Sequence, residues 1–123
     1  MKIVEIRPYA KKIDLVAKAI HINEPREVAS RLDGMNHRVT EALMADDSAS
    51  ILLTLWDTAI DQVQKDKTYA IQNAYASFFK SSIRLNLGRF GKIAESPTPL
   101  ESVNENNNLS EKELPTNRLG VES

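Results

Sequence analysis

The sequence contains no cysteine, which excludes a disulfide framework and any thiolate metal site. Its longest strongly apolar run, residues 51–56, is far shorter than the roughly 18 residues that a membrane-spanning helix needs, so we expect no membrane segment. An acidic residue and an early proline stand near the start, where a signal peptide would be continuously apolar. We therefore expect a cytoplasmic protein.

A strong excess of either charge is also missing, because the net charge is −1 over 123 residues. Residues 1–95 hold 14 Lys and Arg against 12 Asp and Glu, whereas residues 96–123 hold 2 against 5. A mildly basic body is thus followed by an acidic tail. The charge of the body does not exclude a nucleic-acid partner.

The composition changes after residue 95. Pro97 and Pro99 interrupt any strand or helix, and the sequence beyond them is rich in Asn, Glu and Ser, with few aromatic or β-branched residues to bury. The length suits one domain. We predict a folded domain over residues 1–95 and a disordered tail over residues 96–123.

Apolar residues in the body recur mostly with a period of two, which is typical of short β-strands. The five predicted strands are residues 12–22, 37–45, 50–57, 68–74 and 82–88. A long mobile loop is expected over residues 23–36, a short helical turn over 58–64, and an extension of the last strand over 90–94 after a kink at Gly88. Good helix formers at residues 15–22 leave a helix as the alternative there. The order predicts an all-β fold, a five-stranded OB-fold barrel with a disordered C-terminal tail.

Aromatic residues are few, and three of them fall where an OB barrel presents its ligand face. Trp56 ends the third strand, Tyr75 follows the fourth, and Phe79 lies in the next loop. Bases of a flexible single strand stack on such side chains, and Lys or Arg nearby can bind the phosphates. The predicted cations are Arg38, Lys80 and Arg84. Thr54, on the face of Trp56, and Asn86, on the face of Arg84, complete the predicted site.

Other chemistry has weaker support. An isolated tryptophan in an apolar strand is often a core residue, although Trp56 has the parity opposite to Ile51, Leu53 and Leu55. Two distant histidines indicate no metal site, and the paired aspartates at 46–47 suit a turn. The sequence has no nucleophile elbow and no glycine-rich phosphate loop. We expect neither an enzyme nor a cofactor.

Several blocks of sequence carry a family resemblance: Val39-Thr40-Glu41-Ala42, Ala45-Asp46-Asp47, the run from Ile51 to Trp56, the run from Tyr69 to Tyr75, and Arg84-Leu85-Asn86-Leu87-Gly88 through Gly91-Lys92-Ile93. In these blocks the chain resembles the archaeal single-OB single-stranded DNA-binding proteins, which are similar to the DNA-binding domains of replication protein A. The resemblance implies that Trp56, Tyr75 and Phe79 stack on bases. It also implies a nucleoid-associated protein that coats single-stranded DNA in replication, repair or recombination.

Two rival hypotheses stay open. Stacking does not distinguish the two sugars, so the ligand could be RNA. The small charge of the body also fits an OB subunit whose aromatic face packs against another protein. The acidic tail could bind protein partners in either case.

Overall fold

Strands account for most of the body, as the alternating apolar residues predict. The computed structural model describes residues 1–79, 82–88 and 90–111, with the backbone alone for Phe79 and Glu111. The strands are β1 (Ile13–Ile22), β2 (Arg26–Ala29), β3 (Asn36–Ala45), β4 (Ser50–Trp56), β5 (Thr68–Phe79), β6 (Ser82–Asn86) and β7 (Lys92–Glu95). One short helix, α1 (Thr58–Asp61), and two 3₁₀ turns, Ile3–Glu5 and Leu109–Glu111, complete the described elements. Residues 15–22 are therefore strand, and the helical alternative is wrong.

Five of the strands form a closed ring. Their order is β1-β3-β4-β6-β5, and β5 pairs again with β1. All these pairings are antiparallel except β4 with β6, which run parallel. This is the arrangement of an OB fold, so the predicted fold class is confirmed.

The core lies inside the ring because alternate residues of each strand point inward. On β4 the inward residues Ile51, Leu53 and Leu55 are fully buried. On β6 the inward residues Ile83 and Leu85 are buried, while the residues between them are half-buried on the outer side. Phe78 packs against the core from its margin.

The region predicted as a long loop contains a strand. β2 pairs antiparallel with the start of β3, from Arg26 opposite Val39 to Ala29 opposite Asn36, so residues 26–39 form a hairpin outside the ring. The polar composition gave no indication of β2, because Val28 is half-buried and the other three residues of this strand are exposed. A two-stranded extension can be held mainly by its backbone hydrogen bonds to an existing sheet edge.

β5 is longer than predicted and runs to Phe79, which places Tyr75 and the backbone of Phe79 within the strand rather than after it. The predicted continuation of the last strand is present, because β6 and β7 both pair with β5 along its length. Residues 87–91 interrupt them, and the chain turns at Gly88 with a φ of 68°.

Part of the predicted tail contacts the barrel. Asn108 forms a parallel bridge with Ser50, and the Ser50 N–H donates to the Asn107 carbonyl. The Ser110 hydroxyl accepts from the Leu52 N–H at 2.9 Å and donates to the Ile83 carbonyl. These polar contacts do not depend on apolar residues, so composition did not indicate them. The domain boundary after residue 95 stays a prediction, and residues 112–123 lie outside the described part of the chain.

Candidate nucleic-acid interface

Four of the predicted site residues line one groove on the outside of the barrel. Thr54 of β4 is paired with Asn86 of β6, and Asn86 is paired with Tyr75 of β5, so their side chains form a row across three strands. Trp56 lies on the same face, two residues further along β4. The groove that they share with residues of α1, β7 and the 87–91 loop has a volume of about 640 Å³.

Trp56 points outward because β4 keeps its alternation to the last residue. The inward residue before it, Leu55, is fully buried, whereas the Trp56 side chain is 48% exposed. Its neighbour on β3 is Val39, and the chain turns immediately afterwards into α1. The structure therefore places the indole on the surface and not in the core.

Tyr75 points outward because β5 contains a bulge. Before the bulge Ile71 is buried, and after it Ala74 is buried, so the inward parity changes between them. Asn73 has a φ of 57°, and its N–H donates to the Asp14 carboxylate at 2.8 Å. Without the change in parity Tyr75 would share the inward face of Ile71. With it the tyrosine is 41% exposed.

The ring of Tyr75 packs against the backbone of Gly88. A Cβ added to Gly88 would lie 2.6 Å from the ring carbon Cε1 of Tyr75, so the close approach requires glycine. On the other side, the Asn86 amide donates to the Ser77 hydroxyl at 2.7 Å. These contacts fix the tyrosine and the amide at one side of the groove.

The two predicted cations that the structure describes are both held by carboxylates. Arg38 contacts Asp61 at 3.0 Å, and Arg84 lies 3.8 Å from the Glu41 carboxylate. Arg26 donates two hydrogen bonds to Glu41, at 3.2 and 3.0 Å, and this lowers the pKa of that carboxyl group. A phosphate at Arg84 would have to compete with a charged, largely buried carboxylate. Neither arginine lines the groove.

The other predicted residues cannot be placed. Lys80 lies outside the described residues, and so does the side chain of Phe79. The Phe79 backbone pairs with Ser82 at the end of the β5–β6 hairpin.

Two features of the site were missed. Lys92 of β7 lines the groove, and no ion pair with a described carboxylate holds it. The sequence alone does not indicate which of its many lysines faces a groove. The bulge that directs Tyr75 had a signal, because an asparagine inside a strand pattern is typical of a left-handed residue.

His37 contacts two aspartates and so connects the β2–β3 hairpin to the residue after Trp56. His37 lies 2.8 Å from Asp57, which follows Trp56, and 2.8 Å from Asp33 in the hairpin turn. Hydrogen bonds to Asp57 and Asp33 raise the pKa of His37. Within the described residues no three His, Asp or Glu side chains are grouped so that they could hold a metal ion, and no helix could span a membrane.

The closed ring defines an OB-fold protein, and the outer groove with two aromatic side chains makes the β4–β6–β5 side of the barrel the candidate ligand face. Comparison with known families agrees with this class. The profile of the single-stranded DNA binding protein Ssb-like family, OB fold, matches residues 6–95. The chain belongs to this family.

Known proteins support the assignment. The single-stranded DNA binding protein Ssb of Saccharolobus solfataricus is 25% identical over 95 residues, which are 77% of this chain and 63% of that protein. The chain therefore matches less than two thirds of that relative's length. A hypothetical protein of Arabidopsis thaliana has a similar solution structure, with a TM-score of 0.77 at 26% identity over 100% of this chain and 88% of its own. The second OB-fold domain of replication protein A from Methanococcus maripaludis shares the fold, with a TM-score of 0.65 at 22% identity over 82% of this chain and 98% of that domain.

Proposed function

We propose that the outer groove binds single-stranded DNA without sequence specificity. The observation that carries the proposal is that Trp56 and Tyr75, from two different strands, are both exposed on one groove. Family membership and the name of the Saccharolobus relative support it. Phe79 belongs to the proposed stacking set by the family resemblance.

The spacing of the two rings suits a flexible strand. β6 lies between β4 and β5, so the backbones that carry the aromatics are about 10 Å apart across the sheet and offset by about 7 Å along it. Thr54 and Asn86 lie between them and offer hydrogen-bonding groups to base edges or sugars. Stacking accepts any base, and this gives affinity without a sequence code.

In this proposal phosphate contacts contribute less to the binding affinity than base stacking does. Lys92 lies in the groove, and Arg38 and Arg84, which flank it, are partly neutralised by Asp61 and Glu41. Lys80 belongs to the same predicted set. With Lys92 as the cation that lines the described part of the groove, we expect a shallow dependence of affinity on salt, because each neutralised phosphate on a single strand contributes a slope of about 0.7.

In the cell, such a protein would coat exposed single strands in replication, repair or recombination and protect them without chemical catalysis. It would act in the cytoplasm at the nucleoid. One OB fold covers about 4–16 nucleotides, so several molecules would bind along a longer strand. Protein partners of the acidic tail belong to this proposal as well.

The test is the binding of labelled oligo-dT at two salt concentrations, with duplex DNA and oligo-rU as competitors. We expect oligo-dT to bind and to quench the emission of Trp56, the only tryptophan. Trp56→Ala should weaken binding by about 1–3 kcal/mol with an unchanged salt slope, since no counterion release is lost. Val16→Ala, on β1 across the ring, is the control.

The outcomes separate the rival hypotheses. Stronger competition by oligo-rU than by DNA would identify an RNA-binding domain. No binding of any oligonucleotide by the folded protein would favour a protein-interaction subunit. Binding that is unchanged in a folded Trp56→Ala variant would show that the ligand face is elsewhere.

A further inference from the structure

A second cavity adjoins the proposed groove on the far side of Tyr75. It has a volume of about 460 Å³ and is lined by Lys11, Lys12, Tyr75, Gly88 and Phe90, among others. Tyr75 and Gly88 line both cavities, so the two cavities adjoin at one tyrosine ring. A strand stacked on Tyr75 would pass from one cavity directly into the other.

Phe90 gives the second cavity an exposed aromatic surface. Its side chain is 72% exposed, the highest exposure of any aromatic residue in the described part of the chain. The residue after Phe90 approaches the backbone closely, because a Cβ on Gly91 would lie 1.9 Å from the Leu87 carbonyl oxygen. An exposed aromatic ring that lines a cavity offers a flat surface on which a base can stack.

Lys11 and Lys12 give the same cavity its charge. Both are exposed, and neither forms an ion pair with a carboxylate of the described residues, in contrast to Arg38 and Arg84. The nearby carboxylate of Asp14 accepts the Asn73 N–H. Two cations beside an aromatic ring match the chemistry of a base and its adjoining phosphates.

We propose that this cavity is a second nucleotide subsite, in which Phe90 stacks on a base and Lys11 and Lys12 bind phosphates of the same single strand. The inference rests on the proposed function and extends the path of the strand beyond Tyr75. The occupant is the continuation of the strand bound in the first groove, because the two cavities share Tyr75.

The experiment compares oligo-dT of about 4 nucleotides, which fills the first groove, with one of about 15 nucleotides, near the upper site size of an OB fold. Phe90→Ala should weaken binding of the longer oligonucleotide by about 5- to 150-fold and of the shorter one by less than about twofold. Lys11→Gln with Lys12→Gln should lower the salt slope for the longer oligonucleotide by about 1.4. Lys2→Gln with Lys18→Gln removes an equal charge at two lysines that do not line this cavity, and it should leave the salt slope unchanged.

A second variant tests the site by spectroscopy. Phe90→Trp in a Trp56→Phe background places the only indole in the second cavity, and its emission should respond to the longer oligonucleotide alone. An equal effect of Phe90→Ala at both lengths, or an effect at neither, overturns the second subsite. If the parent binds the short oligonucleotide and Trp56→Ala weakens it, the first groove stands even when the second subsite fails. If the parent binds neither length, both proposals fail.

Discussion

Replacing Ser110 by alanine tests whether the C-terminal segment is part of the folded barrel. β4 and β6 are joined by two residue pairs, Leu53 with Leu85 and Thr54 with Asn86. On the edge that faces away from β3, the start of β4 therefore needs other hydrogen-bond partners. The Ser110 hydroxyl satisfies the Leu52 N–H and the Ile83 carbonyl, and Ser110 is only 8% exposed. Its loss would leave one donor and one acceptor unpaired.

Each buried polar group left without a partner costs about 1–3 kcal/mol. Because water can reach part of this site, we expect Ser110→Ala to lower the free energy of unfolding by about 2–3 kcal/mol. For a domain of this size that is a fall in Tm of roughly 10–15 °C.

Urea unfolding, followed by far-ultraviolet circular dichroism and by the emission of Trp56, measures the change. Ser102→Ala is the matched control, because Ser102 lies in the same segment, is exposed and should change stability by less than about 0.5 kcal/mol. A change of that small size in Ser110→Ala would refute the docking of residues 107–110. It would instead support a disordered tail that begins at residue 96.

Three further predictions concern the ligand face. Gly88→Ala places a Cβ 2.6 Å from the Tyr75 ring at a φ of +68°, so we expect a loss of about 1–2 kcal/mol in stability and weaker binding of oligo-dT; unchanged affinity would mean that the ring position is unimportant. Because Glu41 partly neutralises Arg84, Arg84→Ala should lower the salt slope by less than the value of about 0.7 for a full phosphate contact, and an equal slope would remove Arg84 from the phosphate contacts. The hydrogen bond to Asp57 raises the pKa of His37 above 6.5, so its stabilisation is complete below about pH 6.5 and is lost as pH rises through the raised pKa. Thermal unfolding across that pH range should show this loss in the parent and not in His37→Gln.

The strand pattern was predictable because one face of each strand is buried. Ile51, Leu53 and Leu55 have to alternate with outward residues, and that parity alone placed Trp56 outside. The β2 strand was not predictable in this way, because its residues are almost all exposed and its pairing depends on the backbone of β3. The contacts of residues 104–110 were missed because most are polar and only Leu109 packs against the core, so the local composition gave no indication of them.

The sequence by itself determined the period of the five strands of the ring, their order along the chain, the outward parity of Trp56 and the division of charge between residues 1–95 and 96–123. Only the tertiary structure decided which strands are neighbours, and therefore that Thr54, Asn86 and Tyr75 form one row. It also decided that Arg84 lies beside Glu41 rather than in the groove, and that Lys92 lies within it. Residues far apart in sequence acquire a common surface only when the ring closes, because pairing register and a single bulge at Asn73 set which side chains face outward together.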